Sequence, residues 1–178
     1  MPESVAFLRE AVDSQGNGLR VEFTKPADRF GHTVLGVRGG EVVPILCSIE
    51  GTPEDFAPPS PPLTELHQQP SLTFLTGATS IAHWSMSVEV VEGGIWFDVA
   101  CRAKRQPPVL GSAYQVVEKQ FELEVGATCC VNQSGNLLNI LPAAEASNME
   151  EFPTTFRWRY RISLILLHSE TLSVSSRD

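Results

Sequence analysis

What most constrains this chain is the alternation of apolar and polar residues on both sides of a glycine pair between His83 and Lys104. Ala82, Trp84, Met86, Val88 and Val90 share one side before Gly93-Gly94; Ile95, Phe97, Val99, Cys101 and Ala103 share one side after it. A period of two is the side-chain period of a β-strand, and glycine supplies the backbone conformation that tight hairpin turns need. A two-residue turn at the glycines pairs Val90 with Phe97, Val88 with Val99, Met86 with Cys101 and Trp84 with Ala103. Apolar meets apolar at each step, whereas a one-residue slip mixes the faces. This register also sets Glu89 opposite Asp98, a repulsive pair that a nearby cation relieves.

The same logic recurs twice. Val125 to Leu141 folds around Ser134-Gly135, with Val131 facing Leu138 and Cys129 facing Ile140. Another hairpin turns at Gly39-Gly40 and sets Val37 by Val42 and Val34 by Ile45, with Pro44 at an edge or a bulge. The longest strand runs from Thr154 to His168. Phe156, Trp158, Tyr160, Ile162, Leu164 and Leu166 lie on one face, and Arg157, Arg159, Arg161 and Ser163 on the other. Leu172 to Ser176 reads as a short final strand or a tail.

Residues 1–15 read as a short N-terminal helix, with Ser4 as N-cap and Val5, Leu8 and Val12 on one face. Two segments read as connections: 51–71, crowded with prolines, and 142–153. Within the first, Ser60-Pro61 followed by Leu63 to Gln69 suits about two turns of helix. The expectation is an all-β, mainly antiparallel fold of about nine strands in one domain spanning 1–178. Such a hairpin meander closes as a β-barrel or stacks as a two-sheet β-sandwich, and the hairpin-after-hairpin order tips the balance toward the barrel.

A net charge of −8 argues against partners that reward a basic face, so neither nucleic acid nor an anionic membrane surface is expected. No run approaches the length of a membrane span, and the N-terminus lacks the apolar core and cleavage site of a secretory signal. The four cysteines, Cys47, Cys101, Cys129 and Cys130, form no CxxC pair. Reduced thiols and a cytoplasmic location follow as expectations.

Two groups of residues stand out as candidate ligand contacts. Trp84, Phe97, Trp158 and Tyr160, with Phe156, point inward. In a barrel of about eight strands they line a small cavity; equally, they fill a solid core. Arg157, Arg159 and Arg161, two apart, project guanidinium groups from one face, a row suited to a carboxylate or phosphate. The alternative is cross-strand pairing with Glu122, Glu124, Glu89 or Asp98.

His32, His67, His83 and His168 make no HxH or HExxH pattern, so no metal or other cofactor is expected. No GxSxG elbow or phosphate-binding loop occurs, and the reading leans away from an enzyme. Asn132-Gln133-Ser134 matches a glycosylation sequon but reads as turn chemistry. The expected function is non-catalytic binding of a small, mainly apolar ligand, with or without an anionic group. The alternatives are a protein–protein or assembly domain, using Trp96, the arginine row or an edge strand, and an enzyme whose site only the fold assembles. A homo-oligomer stays open.

Overall fold

The computed structural model describes residues 7–52, 54–55, 57–107, 109–143 and 151–165. Among these, every regular element is a strand, and no helix is long and apolar enough to cross a membrane. The strands are β1 (Phe7–Val12), β2 (Gly18–Thr24), β3 (Gly31–Arg38), β4 (Glu41–Ser48), β5 (Glu65–Gln68), β6 (Leu72–Ala78) and β7 (Ala82–Val91). They continue with β8 (Gly94–Ala103), β9 (Ser112–Val116), β10 (Phe121–Val125), β11 (Cys129–Ser134), β12 (Leu137–Pro142) and β13 (Thr154–Leu164).

All pairings are antiparallel, and they make two sheets rather than a closed barrel. The first sheet has the order β1-β2-β3-β4-β9-β12-β11; the second has β10-β13-β8-β7-β6-β5. The meander that favoured a barrel breaks after β4, which pairs with β9 while β5 to β8 build the second sheet, and again after β8. From there the chain moves to the first sheet at β9, back at β10, across again at β11, and returns at β13. Each apolar face is therefore covered by the other sheet, and the result is a β-sandwich.

Alternation decides which side chains meet. Leu19, Val21, Phe23, Val34, Leu46, Tyr114, Val116, Leu138 and Ile140 of the first sheet are buried against the second. There they meet Trp84, Met86, Val88, Ile95, Phe97, Val99, Phe156, Trp158, Tyr160 and Ile162. Phe97 and Tyr160 stack at 5.1 Å, and Trp84 meets Trp158 edge-on at 6.4 Å.

The β7–β8 hairpin keeps the expected faces but not the expected partners. Val88 opposes Phe97, Val90 opposes Ile95 and Trp84 opposes Cys101. The turn is Glu92-Gly93, with φ +71° at Gly93, and Gly94 already belongs to β8. A Cβ on Gly94 would lie 2.7 Å from the Ile162 carbonyl oxygen, so the second glycine serves the approach of β13 rather than the turn. Moving the turn by one residue moves each pair by two, which preserves the faces. Glu89 therefore faces Trp96 and Asp98 faces Ser87, and the expected acid pair does not form.

The β11–β12 hairpin shifts in the same way. Its turn is Gly135-Asn136, so Val131 faces Ile140 and Cys129 faces Pro142. At β3–β4 the Gly39-Gly40 turn and the Val37–Val42 pair are as expected. A bulge between Val34 and Leu35 moves Leu46, not Ile45, opposite Val34, and Pro44 lies beside that bulge opposite Leu35.

Two helix expectations give way to strands. Residues 7–12 form β1 instead of part of a helix over 1–15; residues 1–6 lie outside the described region. Six residues pair with β2 across a tight link in which Asp13 Oδ1 accepts the Gln15 and Asn17 N–H groups, at 2.8 and 2.9 Å. Arg9 then ties β1 to the other sheet, donating to the carbonyls of Gln69, Pro70 and Leu72 and to Thr73 Oγ1. A short amphipathic segment has no comparable reward as an isolated helix. Likewise, Glu65–Gln68 is strand β5 against β6, not helix. β13 ends at Leu164; 166–168 and the tail 172–176 lie outside the described residues.

Candidate functional site

The proline-rich connection is fastened to both sheets. Its Ser60 hydroxyl accepts the Ala113 N–H at 3.0 Å and lies 3.4 Å from the Ala113 carbonyl, fastening the connection to β9. Thr64 N–H donates to the Thr76 carbonyl at 2.8 Å. Gly77 makes this second contact feasible: a Cβ there would stand 2.0 Å from the Pro62 carbonyl oxygen. Strapped down at both points, the connection encloses two features at one end of the sandwich.

The first is a pocket of about 230 Å³. Pro58, Pro62, Ile81, Trp84, Pro107 and Val109 give it apolar walls, and Arg29, Asp55, Thr79 and Ser80 supply its polar groups. Trp84 is 7% exposed, and its indole N–H has no hydrogen-bond partner. Arg29 is equally buried. It holds Asp28 through Nε and Nη2, at 2.9 and 3.2 Å, and donates from Nη1 to the Glu50 carbonyl at 3.4 Å. A guanidinium has five N–H donors, so these contacts leave two uncommitted. Asp55 turns Oδ2 back onto its own loop, accepting the Thr52 N–H at 2.6 Å.

The second feature is a polar chain inside the core. His32 Nε2 lies 2.8 Å from Tyr114 Oη, which lies 2.5 Å from Tyr160 Oη. Trp158 donates its indole N–H to Ser112 Oγ at 3.0 Å, and His32 N–H donates to Ser48 Oγ at 2.7 Å. Burial pushes the His32 imidazole down to about 4, so it is neutral at pH 7. Burial raises both tyrosine hydroxyls above their ordinary value, so both stay protonated. The half-buried Glu50 carboxyl is pushed up to about 7, because burial outweighs the Ser48 hydrogen bond and the Arg29 charge. His32, Glu50, Ser60 and Ser112 share a void of only about 10 Å³, room for one water at most.

The two aromatic expectations now separate. Phe97, Trp158 and Tyr160 are fully buried and packed between the sheets, where Phe97 also stacks on His32 at 5.4 Å. Trp84 alone of the four borders the proline-walled pocket. The arginine row lies on the outer face of the second sheet, and each member has a neighbour. Arg157 lies 3.8 Å from Asp98, Arg159 sits 4.3 Å over the Trp96 ring, and Arg161 lies 3.6 Å from Glu124 while donating to the Glu92 carbonyl at 2.8 Å. The fold does not bring the row to the pocket.

Arg29, Glu50, Ser112 and Tyr114 escaped the sequence reading, and His32 was weighed there only as a metal ligand. One signal was present: His32 and Ser112 are polar residues in phase with inward-facing neighbours, Val34 on β3 and Tyr114 and Val116 on β9. A polar residue at an inward position is the pattern of a buried hydrogen-bond network. Arg29 and Glu50 lie just outside strands and carried no such mark.

A larger cavity of about 400 Å³ opens at another end, where Ala11, Val12, Val90, Val91 and Leu164 meet Glu10, Asp13 and Glu92. Among the described residues no three His, Cys, Asp or Glu side chains gather as a metal site. The four cysteines are free thiols; burial pushes that of Cys101 up to about 12. Comparison of the chain with protein-family models, with curated proteins and with solved structures gives no match.

Proposed function

We propose that this protein is a non-catalytic binding module for a small, mainly apolar molecule bearing a carboxylate, held in the pocket beside the proline-rich connection. The observation that carries this reading is the conjunction of apolar walls, a buried guanidinium with donors to spare, and an indole N–H with no partner. A buried donor left unpaired costs about 1–3 kcal/mol, which an acceptor on a ligand recovers. Ligand sites combine apolar walls with a few placed polar groups in this way. At about 230 Å³ the pocket is below the roughly 300–1,000 Å³ of drug-sized sites, so its ligand is smaller. Its confinement by a strapped connection favours a preformed site over a surface contact.

The test uses matched probes. Benzoate and hexanoate are titrated against benzamide and hexanol by calorimetry, with tryptophan emission reporting on Trp84. The carboxylates are expected to bind more tightly than their neutral counterparts by about tenfold. Arg29→Lys should narrow that gap, and Trp84→Phe should weaken the whole series. If no member binds, and native mass spectrometry of the purified protein finds no retained molecule, the reading is wrong.

A further inference from the structure

The sandwich has four strand edges, and three of them are guarded. β1 carries Arg9 and Glu10, of which Arg9 reaches across to the β5–β6 turn and Glu10 pairs with Arg20 at 3.0 Å. β5 has only four residues and begins with Glu65. β10 presents Glu122 and Glu124. Charge, shortness and side-chain cover are the devices by which proteins keep sheet edges from pairing with other chains.

Among the described residues, β11 has none of them. Cys129–Ser134 contains no charged residue and no proline, and five of its six residues are exposed. Behind it, β12 and β9 also lack Asp, Glu, Lys, Arg and His, so the three strands at this end of the first sheet carry no charged side chain, on a chain of net charge −8. Val131 is 43% exposed and Leu137 40%. The phase of the ladder identifies the free groups. Ala143 N–H donates to the Thr128 carbonyl at 2.8 Å. With a period of two, Cys130, Asn132 and Ser134 therefore turn their amides toward β12, and Val131 and Gln133 turn theirs outward. Cys129 N–H is taken by the Gly126 carbonyl at 3.0 Å.

We propose that β11 is a homodimerisation edge, which pairs antiparallel with β11 of a second copy across a two-fold axis near Asn132. In that register Val131 of each copy exchanges backbone hydrogen bonds with Gln133 of the other, and the two sheets join into one. A second copy is the partner this edge fits, because its outward groups at Val131 and Gln133 are symmetric about Asn132 and so self-complementary, and because two chains of the same negative sign meet there without opposing charges. Self-pairing of β10 would set Glu122 against Glu124, whereas β11 brings no charge to the seam. Such an interface rests on one short strand and its neutral flank, so the dimer is weak and its formation depends on concentration.

Sedimentation velocity and light scattering across a concentration series, in reducing buffer, provide the test. A dimer is expected that tightens as sodium chloride rises from about 0.05 to 0.5 M, because salt screens the repulsion between the copies and leaves the neutral seam untouched. Val131→Lys and Gln133→Lys should each weaken it by about tenfold or more without lowering the melting temperature. Phe74→Lys, on the exposed face of β6, should leave it unchanged. The proposal falls if the protein stays monomeric throughout, if the dimer survives both β11 substitutions, or if it appears only without reductant as a Cys130 disulfide.

Discussion

His32 and Glu50 are near neighbours with opposed titration behaviour. Burial holds His32 at about 4 instead of 6.5 and lifts Glu50 to about 7 from 4.5. As pH falls from 6.5 to 4, the unfolded chain takes up a proton at His32 that the folded chain refuses, so stability falls with pH. As pH rises from 4.5 to 7, the folded chain keeps a proton at Glu50 that the unfolded chain has released, so stability falls in the other direction. Between pH 4.5 and 6.5 the slopes oppose and largely offset each other. Single substitutions unmask them. Relative to wild type, Glu50→Gln should gain stability as pH rises from 5 to 7, by about 1–2 kcal/mol given the partial exposure of this group. His32→Gln should gain relative to wild type as pH falls from 6.5 to 4.5. Urea midpoints measured across that range report both, and an offset that stays constant with pH would refute the assignment.

At the scale of elements, the period-two pattern was a reliable guide to faces and a poor one to partners. Ala82 to Val90 and Ile95 to Ala103 turn the expected sides inward, because alternation alone decides that. Which glycine makes the turn is decided elsewhere: Gly93 takes the positive φ, and Gly94 is needed where β13 passes. Residues 7–12 show the same hierarchy. A local pattern compatible with helix yields to the pairing offered by β2 and the carbonyls offered to Arg9. Gly77 gives a test at this level. Gly77→Val would drive a side chain into the Pro62 carbonyl, detach the proline-rich connection and cost about 2–3 kcal/mol or more, read from urea denaturation. The same variant should lose binding of any pocket ligand, since Pro58 and Pro62 are walls of that pocket. Wild-type stability in Gly77→Val would show that the connection is not held as described.

At the scale of the molecule, the two sheets share one interior, and Phe97 sits at its junction. It stacks on Tyr160 of its own sheet and on His32 of the other. Phe97→Ala should therefore cost about 3–5 kcal/mol. It should move the transitions seen by tryptophan emission, whose three indoles all belong to strands of the second sheet, and by far-ultraviolet circular dichroism, which reports both sheets, by the same amount. Separate transitions would mean that the sheets unfold independently.

By itself the sequence determined the all-β class, the inward faces of β7, β8 and β13, and the Gly39-Gly40 turn, because side-chain alternation and glycine's access to positive φ are local properties of the backbone. The tertiary structure alone decided that the strands stack as two sheets, that residues 7–12 and 65–68 join them, and that Trp84 and Arg29 meet under the proline-rich connection. Those outcomes depend on contacts between residues far apart in the chain, whose energies no local pattern records.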